Sequence, residues 1–293
     1  MKKIVVLLLC AVLLCGCSAQ NIKQTEKPSV VTTIFPIYDF VRAVGGEKVD
    51  IKMLIKPGTE VHSYDPVPSE IKSIYNADLF LYIGGESEAW VDKILGDTTT
   101  NSYALIQSVE LLYEEHHNEY DEHIWTSPEN AKKMLDKILS ELVKIDPENS
   151  DYYRQNHIDY VKKIDTAEQK TTAVVKESKT QFILVADKFP FKYFAQSYGI
   201  DYIAAADGCA VGTDISLKTM TTLLNTIKEK DLKHVYYVEM SNKKIANALA
   251  EQTGVKLLEL HSAHNVTLED FENGVTYVDI MERNYTSLKE GMN

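Results

Sequence analysis

Five side chains able to hold a metal ion stand just beyond apolar runs or at a helix entrance. His62 lies in the loop Gly58-Thr59-Glu60-Val61-His62-Ser63-Tyr64-Asp65-Pro66, and His123 in Asp121-Glu122-His123-Ile124-Trp125-Thr126-Ser127-Pro128. In the second half Asp187 follows Phe182-Ile183-Leu184-Val185-Ala186, Glu239 follows Val235-Tyr236-Tyr237-Val238, and His261 follows Leu257-Leu258-Glu259-Leu260. A neutral imidazole offers one lone pair and a carboxylate offers only acceptor oxygens, so these residue types brought together would bind a divalent transition metal. Taken singly each has an ordinary role. A loop histidine commonly just satisfies a hydrogen bond, Asp187 could cap the helix that follows, and Glu239 could sit in a first helical turn where the dipole favours it. His264 has only its nearness to His261 in its favour.

What could bring the five together is the order of elements. Short apolar runs alternate with longer amphipathic ones. Ser29 to Thr33, Val49 to Ile55, Ala77 to Ile83 and weakly Tyr103 to Gln107 read as strands; Ile37 to Val44, Ser69 to Tyr75 and Glu88 to Leu95 read as helices. Ser127 followed by Pro128 is an N-cap with proline at the first helical position, opening a helix to Ile145. From Asn149 to Glu177 there is no Gly or Pro, and Tyr153, His157, Tyr160, Ile164 and Ala167 recur at helical spacing, which predicts the longest helix of the chain. The alternation then resumes, with strands at Gln181 to Ala186, Tyr202 to Ala205, His234 to Val238 and Lys256 to Leu260, and a closing helix at Tyr277 to Lys289. Such βα alternation predicts an α/β fold of two lobes, each with a mainly parallel sheet, joined by one long helix. Ligands in open α/β sheets sit beyond the carboxyl ends of strands, which puts all five candidates on one expected rim.

The ends of the chain bear on where it works. Met1-Lys2-Lys3, the apolar run Ile4 to Leu14 and then Cys15-Gly16-Cys17 follow the order of a secretory signal, and the run is shorter than the roughly 20 apolar residues a spanning helix needs. Leu14-Cys15-Gly16-Cys17 resembles the lipobox of bacterial lipoproteins, which implies cleavage before Cys17 and a lipid on its thiol. The expected division is residues 1–16 signal, 17–27 tether, 28–147 first lobe, 148–178 spine and 179–293 second lobe. With Cys17 acylated, Cys209 has no partner for a disulfide, so stability must come from the core. The formal charge of −12 argues against nucleic acid as a partner and is permissive for cation capture.

The two histidine segments resemble the Gly-x-Glu-Pro-His-x-Tyr-Glu-Pro and Asp-Pro-His-x-Trp-x-x-Pro signatures of zinc and manganese receptors of ABC importers. The resemblance extends over nearly all of the mature chain, through Thr33-Ile34-Phe35-Pro36-Ile37, the long helix, and Phe191-Lys192-Tyr193-Phe194-Ala195. It implies a monomeric, lipid-anchored extracytoplasmic receptor that passes metal to a membrane permease, with His62 and His123 as two of four ligands. The family's third ligand precedes the Phe-x-Tyr-Phe segment by three residues, where this chain has Lys188; Asp187 and Glu239 are the neighbouring carboxylates, and His261 stands for the fourth. Three imidazoles and a carboxylate suit zinc, with manganese the alternative for a site richer in oxygen. Glu114-Glu115-His116-His117-Asn118-Glu119-Tyr120-Asp121-Glu122 resembles, in short form, the His- and acid-rich loop of zinc-specific members, which would recruit metal; otherwise it is a solvated loop. Two other readings are a secreted zinc hydrolase with Glu239 or Asp187 as base, against which stands the lack of His-Glu-x-x-His, and an adhesin-like lipoprotein.

Overall fold

The computed structural model describes residues 27–96, 98–114, 119–206 and 215–293. The first half builds β1 (Ser29–Thr32), α1 (Phe35–Gly45), β2 (Asp50–Met53), α2 (Pro68–Tyr75), β3 (Leu79–Tyr82), α3 (Trp90–Leu95) and β4 (Ser102–Ala104). Its strands form one parallel sheet in the order β2-β1-β3-β4. A two-stranded antiparallel ribbon, β5 (Tyr113–Glu114) with β6 (Glu119–Tyr120), precedes α4 (Pro128–Ile145) and α5 (Ser150–Glu177). The second half contains β7 (Phe182–Val185), α6 (Lys192–Tyr198), β8 (Asp201–Ala204), α7 (Leu217–Glu229), β9 (His234–Val238), α8 (Lys244–Thr253), β10 (Lys256–Leu260), α9 (Leu268–Glu272) and α10 (Tyr277–Gly291). Its sheet is again parallel, in the order β10-β9-β7-β8.

The central strands β1, β3, β7 and β9 are mostly buried and largely apolar, as strands covered on both faces are, whereas edge strand β2 (Asp50-Ile51-Lys52-Met53) alternates exposed polar with half-buried apolar residues. The period of two still sorts the side chains. Val30, Leu79 and Leu81 pack with α1, α4 and α5, while Val31 and Phe80 pack on the other face with Ile74, Trp90 and Val91. In the second sheet Ile183, Val185, Tyr236 and Val238 share one core, and Leu184, Ala186 and Val235 share the other.

At 28 residues and about 1.5 Å per residue, α5 is roughly 42 Å long. It sends Tyr153, Tyr160, Ile164 and Ala167 into the first lobe's core and Val174 and Val175 into the second's. α10 repeats this pattern, with Tyr277, Ile280 and Met281 in the first core and Leu288 and Met292 in the second. Residues 179–293 therefore serve both cores. Where these helices cross α1, buried Asp39 accepts hydrogen bonds from the Tyr160 hydroxyl and, at 2.8 Å, from the Tyr277 backbone N–H. Arg42 bonds Asp39 and donates to the Val275 carbonyl at 2.8 Å. Among the described residues no helix is long and apolar enough to cross a membrane.

Candidate metal centre

In each sheet the chain runs to opposite sides of its first strand, β1 or β7, leaving a crevice at the strands' carboxyl ends. The loop after β2 enters it first. Leu54 and Ile55 donate to the Thr32 and Thr33 carbonyls, continuing the register past the strand, and the chain then turns at Gly58, whose φ of +75° glycine adopts without strain. Gly58 N donates to Val266 O at 2.8 Å, and Asn265 Nδ2 donates to the carbonyls of Lys56 (3.0 Å) and Thr59 (2.8 Å). The loop carrying His62 is thus stitched to the segment after β10.

His123 opens a short 3-10 turn (Ile124–Thr126) that leads into α4, where Ser127 Oγ accepts from Asn130 N as its residue type predicts. Asp121 Oδ1 accepts from the His123 N–H at 2.7 Å and lies 3.0 Å from His123 Nδ1. That contact favours the proton on Nδ1, which puts the ring's lone pair on Nε2. Tyr193 on α6 donates to Asp121 O at 2.9 Å, and Trp125 Nε1 donates to Ser262 O at 2.8 Å, tying the segment to the second lobe.

The third imidazole is His264. His62, His123 and His264 each present one ligand atom, and these atoms all lie within 4.8 Å of one another. Around a tetrahedral zinc with bonds of 2.0–2.1 Å the nitrogens stand about 3.4 Å apart, so small side-chain rotations would suffice to bind one. His264 is buried, with ring centroids 5.0 Å from His62, 5.3 Å from His123 and 4.8 Å from Trp125. Burial holds its imidazole well below the usual histidine value, with His123, His62 and Lys188 pushing the same way. A neutral ring is the form that ligates.

His261, Glu239 and Asp187, the other residues expected at the centre, fall outside this cluster of three imidazoles and each has a partner of its own, although Glu239 and Asp187 line the same cleft as His62 and His264. His261 is buried with its Nδ1 accepting from Ala263 N at 2.9 Å, and its backbone is clasped by Asn284 on both sides. Glu239 accepts from both the N–H (2.8 Å) and the hydroxyl of Ser262, so it fixes the segment that bears His264. Asp187 Oδ1 accepts from Lys188 N at 2.8 Å. His264 reaches the centre because Ala263 takes a left-handed φ of +62°, which turns the chain after β10. The residue next to the strand end, His261, is therefore passed over; the signal that could have found its neighbour is the spacing His261-Ser262-Ala263-His264-Asn265, two imidazoles three residues apart. Cys17, Cys209, His116 and His117 lie outside the described residues.

His62 and His264 of this cluster line a cleft of 370 Å³, together with Glu60, Asp187, Lys188, Glu239 and Asn265. Burial would raise the Glu60 carboxyl, but Lys188 foremost, with the His62 N–H and ring, brings it below the ordinary value. Lys188 thus puts a positive charge in the cleft beside the centre. Glu122 stands behind His62, with Oε1 3.8 Å from its Nδ1.

The family described as zinc-uptake complex component A, periplasmic (ZnuA), matches residues 30–291. The zinc-binding lipoprotein AdcA of Streptococcus pneumoniae (strain ATCC BAA-255 / R6) is 30% identical over 309 residues, covering 99% of this chain but 61% of that protein. The chain thus spans about three fifths of the pneumococcal relatives it matches. The high-affinity zinc uptake system protein ZnuA of Bacillus subtilis (strain 168) is 30% identical over 306 residues, covering 97% and 95% of the two chains. Among solved structures, the Zn(II)-bound ZnuA-like domain of S. pneumoniae AdcA superposes with a TM-score of 0.80 at 27% identity, covering 91% of this chain and 99% of that one. The metal-dependent lipoprotein YcdH of B. subtilis gives 0.81 at 29% identity, covering 91% and 99%.

Proposed function

Because the chain belongs to the zinc-uptake component A family, we propose that it is an extracytoplasmic receptor that captures zinc and hands it to the permease of an ABC importer. The convergence of His62, His123 and His264 within 4.8 Å carries this reading. Three nitrogen donors are a zinc set, and oxygen-preferring manganese would be served poorly by it. The cargo is bound and released without chemistry, so the open fourth position toward the cleft takes a water or a side chain that is readily withdrawn. A signal followed by Cys17 supports a lipid tether, which would hold the receptor near its permease.

Zinc-edge X-ray absorption of the loaded protein tests the ligand set. The expected spectrum has three imidazole nitrogens at about 2.0–2.1 Å, with one imidazole lost in each of His62→Ala, His123→Ala and His264→Ala. A sphere of oxygen scatterers only would count against the reading.

A further inference from the structure

Adjacent residues Asp121 and Glu122 point their carboxylates at different imidazoles of the centre. Asp121 stands at Nδ1 of His123, at 3.0 Å. Glu122 is 8% exposed, its Oε2 accepts from Ser87 N at 3.1 Å, and its Oε1 faces Nδ1 of His62 across 3.8 Å. That separation is an ion-pair contact about 1 Å longer than a hydrogen bond. The side chain lies where residue 85 has none: a Cβ added to Gly85 would stand 2.0 Å from Glu122 Oε2 and 2.4 Å from its Cβ. On the other side of the His62 ring Nε2 is buried without a hydrogen-bond partner, the atom left over for a ligand.

We infer that Glu122 is a positioning residue for His62: as the acceptor facing Nδ1 it keeps the proton on that nitrogen, fixes the ring as the Nδ1–H tautomer and aims Nε2 at the metal. It does for His62 what Asp121 does for His123, so one dipeptide orients both first-lobe ligands from behind. A neutral imidazole has one lone pair, and whichever nitrogen faces an acceptor carries the hydrogen; carboxylates behind metal-bound histidines raise ligand basicity for this reason. Ser87 N–H and the space at Gly85 keep the carboxylate in place. The inference rests on the proposed ligation by His62.

The test uses the purified chain and zinc alone, in three variants. Glu122→Leu keeps the volume and removes the acceptor; Gly85→Ala keeps Glu122 but displaces it; His62→Ala removes the ligand itself. Zinc affinity is read by chelator competition, and the His62 tautomer by long-range ¹H–¹⁵N correlation of the imidazole in metal-free protein. Expected are an Nδ1–H ring in the wild type, loss of that preference in both Glu122→Leu and Gly85→Ala, and affinity lower by about 10–100-fold in each. The tautomer reading does not depend on affinity, and a merely structural role for Glu122 would leave it unchanged in any variant that folds. An Nε2–H ring in the wild type, or an Nδ1–H ring retained in Glu122→Leu, overturns the inference. Wild-type affinity in His62→Ala would instead overturn the ligand reading beneath it.

Discussion

A single residue decides which histidine after β10 reaches the centre. Ala263 holds a left-handed backbone that costs an L-residue of order 1–2 kcal/mol, and it is kept there by its N–H on His261 Nδ1 and by burial of its methyl in the first lobe's core. Ala263→Val adds β-branching at that φ. It should lower stability by about 1–3 kcal/mol in denaturant melts and weaken zinc binding as His264 swings out. Lys188 acts at the same scale through charge. Removing it in Lys188→Ala should raise zinc affinity several-fold at low salt, with the gain shrinking toward 1 M as screening removes the repulsion. Unchanged affinity at low salt would mean that Lys188 does not face the metal. His62 and His123 were legible in the sequence because each sits in a segment of distinctive residues beside Gly58 and Trp125. His264 was not, because what selects it is a backbone angle that no residue type at 263 announces.

At the scale of elements, the loops that bear the ligands are held by buried polar groups rather than by apolar packing alone. Asn265 reaches two carbonyls of the His62 loop. Asn265→Ala would strand both and should cost about 1–3 kcal/mol, with zinc affinity falling alongside the melting temperature. Glu88, before α3, is a second case. Full burial raises its carboxyl from 4.5 to about 7, against the opposing pull of the nearby Thr33 hydroxyl and the Gly84 N–H that it accepts from, and with the charge of Glu122 adding to the rise. The folded protein therefore holds a proton that the unfolded chain gives up near pH 4.5, so this group's contribution to stability falls between pH 4.5 and 7 and is level above. Glu88→Gln removes the ionisation, and thermal melts should show it more stabilising at pH 8 than at pH 5, by up to about 3 kcal/mol. An equal effect at both pH values would contradict the assignment. Most elements were readable because their signals are local: Pro128 after Ser127 starts α4, and unbroken apolar runs mark strands buried on both faces. The β5–β6 ribbon and α9 were not. Two-residue strands and a five-residue helix are too short to show a period, and they exist because the surrounding chain holds their ends.

Over the whole molecule, α5 and α10 run through both cores and meet α1 at Asp39. That carboxylate is buried, with burial raising its pKa against the pull of Arg42, Tyr160 and Tyr277. Asp39→Ala would leave Arg42 without its partner and should cost about 3–5 kcal/mol. Since residues 179–293 fill both cores, calorimetry should show one cooperative transition for the two lobes; two separate ones would contradict the shared-core account. This interlocking was only partly visible in sequence order. The long helix from Asn149 announced a spine, but α10 gave no sign that its first half belongs to the opposite lobe, because its apolar stripe is continuous and only the partners differ. Such a frame holds the first-lobe histidines and His264 against each other through Trp125, Ser262 and Asn265, and the centre depends on that junction.

Equilibrium zinc titration of His264→Ala beside His261→Ala tests the central claim most directly. The account predicts that His264→Ala loses more than about 100-fold in affinity, beyond the upper end of what an outer-shell substitution costs, while His261→Ala, whose ring touches Ala263 N and Glu239 rather than the centre, stays within about tenfold of wild type. The reverse order, with His261→Ala abolishing binding and His264→Ala retaining it, would contradict the site described.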